Sequence, residues 1–198
     1  MVNVPASYKL LVDGWNMLDG VTSVLPWGTP GNTVDLHLGR LAEVIAGKSN
    51  RPIRFDEITV HIGGCDPQRD PQRHAAETAM VRRWQRDPRV TVRMRRNRFD
   101  PATGTYTEKG VDTALALDLC TSQSSGRFDG VVLFSADADH LPALEQAYHN
   151  RRGAVVQLAR WKDQPSSLWL PGQKLWCYFL DEQDLARCSV RRNTTDVA

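Results

Sequence analysis

Five short apolar runs, separated by turns and helix-periodic stretches, constrain this chain more than any other feature. They are YKLLVD (8–13), EITVHI (57–62), VTVRM (90–94), DGVVLFS (129–135) and GAVVQLA (153–159). YKLLVD, DGVVLFS and GAVVQLA lack the strict polar alternation of a half-exposed strand, so they read as strands covered on both faces. Between them, Leu36, Leu38, Leu41, Val44 and Ile45 predict a helix ending near Gly47, with Thr33 as its cap. The second half of DPQRDPQR opens a helix that runs to about Arg86 and stops at Pro88. Further helices are predicted from Val111 to Cys120 and from Leu141 to Asn150. RNRFDPATGTYTEKG reads as a loop, LWCYFL (175–180) as a last strand and DEQDLAR as a terminal helical turn. Strand–helix alternation predicts an α/β fold with a mostly parallel sheet.

Composition narrows the class. The 198 residues include no linker-like stretch and read as one domain, 1–198. With 41% hydrophobic residues the chain can build a core. No apolar run approaches the roughly 18–20 residues of a membrane span. The start, MVNVPASYKLLVDG, lacks a basic n-region and a cleavage site, so a cytoplasmic location is expected. Cys65, Cys120, Cys177 and Cys188 share no CxxC spacing, which argues against zinc and a disulfide framework and for reduced, mostly buried thiols. Net charge is +2, but eight arginines lie between Arg82 and Arg98 against one acid, Asp87. Such a block is either a solvated helix face with its loop or a seat for a polyanion.

The acids carry the chemistry. In an open parallel sheet, ligands bind beyond the carboxyl ends of the strands, where strand order reverses. Asp13 ends the first strand, Asp137 and Asp139 follow the DGVVLFS strand, and Asp112 opens a helix. If those two strands are neighbours, the four acids meet at one sheet edge. Two like charges about 4 Å apart repel by about 4 kcal/mol at an effective dielectric near 20. Protonation or a cation can offset that repulsion. All-oxygen ligands suit Mg²⁺ or Mn²⁺ rather than zinc. The pieces also have ordinary roles: Asp13-Gly14 as a turn dipeptide, Asn16 as a helix cap, Asp112 at a helix N-terminus through the dipole, and Ser135 and Asp137 as caps of the Leu141 helix. Their joint occurrence at strand ends is what favours a site.

In this order, LVDGWN (11–16), EKGVDTALALD (108–118) and LFSADADHLPAL (133–144) resemble the NYN domain, a branch of the PIN-like nucleases. The resemblance covers about residues 8–160, leaving 161–198 as a C-terminal strand and helix extension. It implies a PIN-like three-layer α/β/α sandwich and metal-dependent RNA cleavage leaving 5′-phosphate and 3′-hydroxyl ends. Asp13, Asp112, Asp137 and Asp139 would then be the catalytic metal carboxylates. Asn16 would orient a water or a phosphate oxygen, and Ser135 would support the site. Asp118 matches a recurrent family acid; six residues after Asp112, it cannot point the same way from one helix. Arg93, Arg95, Arg96, Arg98 and Lys109 would hold the RNA backbone. The tryptophans and Tyr106 are candidates for base stacking, with burial expected for most tryptophans. A homodimer is an expected arrangement, because PIN-like domains often pair.

This chain departs from the family pattern SGDSDF, reading SADADH. Ala136 replaces a glycine, and His140 replaces an apolar aromatic; the histidine either packs as a neutral ring or approaches a phosphate or a metal water. Two other readings remain. One is a non-catalytic RNA-binding or regulatory module on the same fold. The other, less favoured, treats DAD as the metal motif of a nucleotide-sugar transferase. A haloacid-dehalogenase-like phosphatase needs a second acid two residues after Asp13, where Trp15 stands.

Overall fold

The computed structural model describes residues 4–26, 28–31, 34–107, 109–150 and 152–191. Its centre is a six-stranded sheet built from β1 (Ala6–Asp13), β3 (Ile53–Gly64), β4 (Val90–Arg96), β7 (Gly130–Phe134), β8 (Val155–Trp161) and β9 (Cys177–Leu180). The spatial order is β4-β3-β1-β7-β8-β9, and every neighbouring pair is parallel. The chain therefore winds outward from β1 through β3 to β4, then returns to the other side through β7 to β9. The reversal falls between β1 and β7, the two strands that the acids follow.

Strand alternation sorts the core into two layers. Leu10 and Val12 of β1 face a cluster that takes in Met17 of α1 (Gly14–Gly20), Leu41 and Ile45 of α2 (Leu38–Gly47) and Trp84 of α3 (Pro71–Trp84). Leu11 faces the opposite cluster, with Leu115 and Leu119 of α4 (Val111–Ser124) and Leu144 of α5 (Leu141–His149). The result is the expected three-layer α/β/α sandwich. Burying side chains of this size contributes about 1.5–3 kcal/mol each, which is why the covered strands carry few polar positions.

Local sequence explains most element ends. Asp70 caps α3 by accepting the Arg73 N–H, and Pro71 suits the first turn. Trp84, two residues short of the expected end, closes that helix. The helix expected to begin around Leu36 starts at Leu38; Val34–Leu36 is instead a short strand, β2, antiparallel to β10 (Ser189–Arg191). Leu36 is apolar because it packs into the core from that strand, so helical spacing counted one residue too many. Thr33, its expected cap, lies outside the described residues. The predicted loop at 96–110 contains a hairpin, β5 (Arg98–Asp100) with β6 (Thr105–Thr107), held by the Phe99–Tyr106 ring contact. Helix α6 (Glu182–Cys188) opens on a capping box between Asp181 and Asp184.

All four cysteines are free, and burial pushes the thiols of Cys65 and Cys177 up to about 11 and that of Cys188 to about 12. Such thiols are unreactive. Among the described residues, no helix is long and apolar enough to cross a membrane.

Gly14 marks where α1 leaves β1, and a Cβ there would stand 2.8 Å from the Ile62 side chain. Gly47, by contrast, ends α2 with nothing within 4 Å of that position. Gly14→Ala is expected to destabilise the fold by about 1–3 kcal/mol, whereas Gly47→Ala leaves stability unchanged or raises it by up to about 1 kcal/mol. Urea unfolding of the two variants measures the contrast.

Candidate active site

Asp13 is the fixed point of the acidic edge. It is the last residue of β1 and the N-cap of α1, so one carboxylate serves a strand end and a helix start. Its Oδ1 accepts the Asn16 N–H at 3.3 Å. Its Oδ2 accepts from the Ser135 hydroxyl at 3.0 Å and sits 3.0 Å from His140 Nε2. Pairing of Val12 with Phe134 brings Ser135 alongside Asp13.

The segment after β7 is knitted to this frame. Ser135 Oγ also accepts the Asp137 N–H at 3.1 Å, and Asn16 Oδ1 accepts the Ala136 N–H at 2.9 Å. Asp137 Oδ1 accepts the Asp139 N–H at 3.0 Å, which starts a short 3₁₀ turn, Ala138–His140. Ala136 has an ordinary negative φ, so the glycine of the related pattern is not needed for its backbone angles. Asp137 is half-buried, and Asp139 is exposed.

Asp112 arrives from the opposite side. Gly110, with φ +75°, turns the chain into α4 through a left-handed conformation that favours glycine. That turn sets Asp112 in the first helical turn, where the helix dipole favours an acid. Its carboxyl is nevertheless held above the usual range. Partial burial is the main cause; His140 acts against it, while the charges of Asp13, Asp137 and Asp139 add to it. The other three acids therefore lie within electrostatic reach of Asp112. Glu108, from the same motif, lies outside the described residues.

His140 is buried, with 1% of its surface exposed. Burial alone would push the imidazole down, but the Asp13 hydrogen bond and charge, with Asp112 and Asp137 behind them, hold it above its usual value. Its Nδ1 is buried without a partner among the described residues. The ring is thus held against Asp13 through Nε2.

Asp118 is separate from this group. It points under α4 into a buried network, 2.7 Å from Lys9 Nζ, 3.0 Å from His61 Nε2 and 2.9 Å from Ser122 Oγ. Arg93 approaches the same carboxylate at 3.7 Å. Burial would raise Asp118, but the bonds from His61 and Lys9, the Lys9 charge and Ser122 outweigh it and hold the carboxyl well below its usual range.

The arginine block divides. Arg83 pairs with Asp35 at 2.7 Å and Arg89 with Asp87 at 2.7 Å, so part of it is structural. Arg96 lies 3.8 Å from Asp66. Arg95 is exposed and reaches over Gly110, its Nη1 4.0 Å from where a side chain there would begin. Arg98 and Lys109 line one shallow hollow with Phe99 and Thr107.

Four partners were not anticipated from sequence. Gln164 Nε2 donates to the Asn16 carbonyl and to Asn16 Oδ1, both at 3.1 Å, and Ser166 Oγ donates to the Ala136 carbonyl at 2.9 Å. Asp19 sits three residues after Asn16 on α1; burial and then the Asp13 charge raise its carboxyl. His61 lies in register with Asp13 on β3. Helical i, i+3 spacing made Asp19 legible, and the polar Glu57, Thr59 and His61 on alternate positions of a buried strand made His61 so. Nothing local marks Gln164 or Ser166.

The donor set suits a hard cation, being carboxylate oxygen throughout. Among the described residues, no three His, Cys, Asp or Glu side chains stand close enough to bracket an ion as they are. Burial is the main reason the Asp112 carboxyl is raised, and the smaller contribution from the charges of Asp13, Asp137 and Asp139 is the part a cation would relieve.

Removing Asp118 leaves Lys9 buried without its closest anion, so Asp118→Ala is expected to cost about 3–5 kcal/mol. Because the folded carboxyl is depressed, its contribution is complete above the unfolded value of about 3.9 and is lost as pH falls below it. The difference between parent and variant in chemical denaturation should stay constant from about pH 8 to 5 and shrink below about pH 4.

Comparison with known proteins accords with this geometry. A crystal structure of a protein of unknown function from Vibrio parahaemolyticus is similar in fold, with a TM-score of 0.53 and 14% identity over 92% of this chain and 98% of that one. No curated protein matches. The profile of the NYN domain matches residues 10–169, a span holding Asp13, Asp112, Asp137 and Asp139. The chain belongs to the NYN domain family of PIN-like proteins.

Proposed function

We propose that this protein is a divalent-cation-dependent endoribonuclease that hydrolyses RNA phosphodiester bonds at the edge between β1 and β7. One observation carries the reading. Asp13, Asp112, Asp137 and Asp139, from three separated segments, gather at the strand-order reversal on a frame of side-chain hydrogen bonds. Membership in a nuclease-like family supports it.

Asp13, Asp112, Asp137 and Asp139 would hold Mg²⁺ or Mn²⁺. When bound, such a cation supplies an activated water and neutralises charge on the scissile phosphate. The remaining work falls to the chain's own groups. Ser135 and His140 fix the Asp13 carboxylate through Oδ2 and leave Oδ1 with one long hydrogen bond. Asn16, gripped by Gln164, holds the Ala136 amide and so the path of the Asp137 backbone. Asp118 acts as a structural support for the sheet beneath α4 rather than as a cation ligand. Arg95, Arg98 and Lys109 would receive backbone phosphates, while Arg93 and Arg96 would share theirs with Asp118 and Asp66.

A second reading has one observation in its favour: the acids do not bracket an ion as they stand. On that reading the protein binds RNA without cutting it. Asp137→Asn separates the two. The parent is expected to cleave labelled single-stranded RNA with Mg²⁺ or Mn²⁺, to stop with a chelator, and to lose at least about 100-fold in rate in the variant. Inert parent and variant that both bind RNA would establish the binding module, and equal cleavage by the two would point to a contaminant.

Phosphate contacts make affinity salt-dependent. Measured in the Asp137→Asn background, Arg95→Ala, Arg98→Ala and Lys109→Ala should each weaken binding across RNA sequences and lower the salt slope by about 1.

A further inference from the structure

Three aromatic side chains stand in solvent at the β8–β9 end of the sheet. Trp169 is 59% exposed, Trp176 50% and Phe179 46%. Trp176 directly precedes β9, the edge strand, and Phe179 projects from it between buried Tyr178 and Leu180. With Leu168, Leu170 and Arg160 they line a hollow of about 580 Å³. The Arg160 guanidinium lies over the Phe179 ring, 5.0 Å from its centroid. The other tryptophans are committed elsewhere: Trp84 and Trp161 are buried, and the Trp15 indole N–H is tied to the Gly63 carbonyl at 2.8 Å. Trp27 lies outside the described residues.

A contiguous apolar face of this kind marks a binding surface. Three observations choose its occupant. The walls come from the segment whose Gln164 and Ser166 clamp Asn16 and Ala136 at the acidic edge. Trp169 follows Ser166 by three residues, at most about 10 Å of chain. Residues 160–176 carry Arg160, Lys162 and Lys174 against the single acid Asp163, a cationic surround for flat aromatic faces. The edge strand itself has only four residues, Cys177–Leu180, too short a ladder to favour pairing with a second copy. The family match ends at residue 169, so Trp176 and Phe179 lie beyond it.

We propose that Trp169, Trp176 and Phe179 form a stacking site for unpaired nucleobases, taking a single-stranded segment of the RNA whose backbone lies at the acidic edge. The inference rests on the RNA-directed reading above. Aromatic faces accept any base, so the site selects unpaired over duplex RNA rather than a sequence. Its contribution is apolar and adds little to the salt dependence, unlike that of the arginines.

The test uses the full chain carrying Asp137→Asn, so that binding is read without cleavage. Fluorescence anisotropy with labelled oligo(U), oligo(A) and a duplex of equal length gives affinities across a salt series. Trp169→Ala and Trp176→Ala are each expected to weaken single-stranded binding by about 5–100-fold. Duplex binding and the salt slope should not move, and Trp169→Phe should retain most of the parental affinity. Circular dichroism and thermal unfolding establish that the variants are folded. Unchanged single-stranded affinity in both folded alanine variants overturns the proposal. So does a concentration-dependent dimer that Trp176→Ala dissociates without altering RNA affinity, which would assign the face to a second copy. Cleavage by the protein with Asp137 intact is scored separately. Failure there removes the ribonuclease reading while the stacking site stands or falls on the anisotropy data.

Discussion

Like-charge repulsion at the reversal of strand order is the constraint that organises the rest of the structure. Four carboxylates approach one edge because β1 and β7 end side by side and α4 begins opposite them. The chain meets the cost with a scaffold of donors. Ser135, His140 and the Asn16 amide all serve Asp13, and backbone N–H groups serve Asn16, Ser135 and Asp137. Among the described residues Asp112 has no such donor, and its carboxyl is raised first by burial and then by the charges of Asp13, Asp137 and Asp139, with His140 acting against both. The junctions that leave β1 and β7 both fix donors against acids of the edge.

Much of this was legible in the residues. Apolar runs located five of the six sheet strands, and the LWCYFL segment located the sixth, because burial on both faces leaves a plain signature. The acid pairs at strand ends located the edge, because a carboxylate beside a buried run needs a reason. The helix boundary at Leu36, the hairpin at 98–107 and the β2–β10 pair were not legible. Each depends on a partner distant in sequence, which local spacing cannot report. His140 illustrates the limit well. Its identity flagged it, yet only the fold reveals that its ring is aimed at Asp13.

The arginine block was ambiguous in sequence and turns out to be two things. Toward α3 its members neutralise Asp35 and Asp87 and hold surface elements together. Along β4 and into the hairpin they are exposed beside the start of α4. Within β4, strand alternation puts Val90 and Val92 on the core side and leaves Arg93 and Arg95 on the opposite face.

The Gln164 clamp has a consequence for how the acidic edge comes into being. Asn16 lies near the start of the chain, and the amide that grips it lies 148 residues later. A growing chain that ends before Gln164 has all four acids but not the bonds that hold Asn16 in place. Completion of the edge is therefore a late event, coupled to docking of the segment after β8. An arrangement of this kind delays the finished acidic edge until a segment 148 residues after Asn16 has been made.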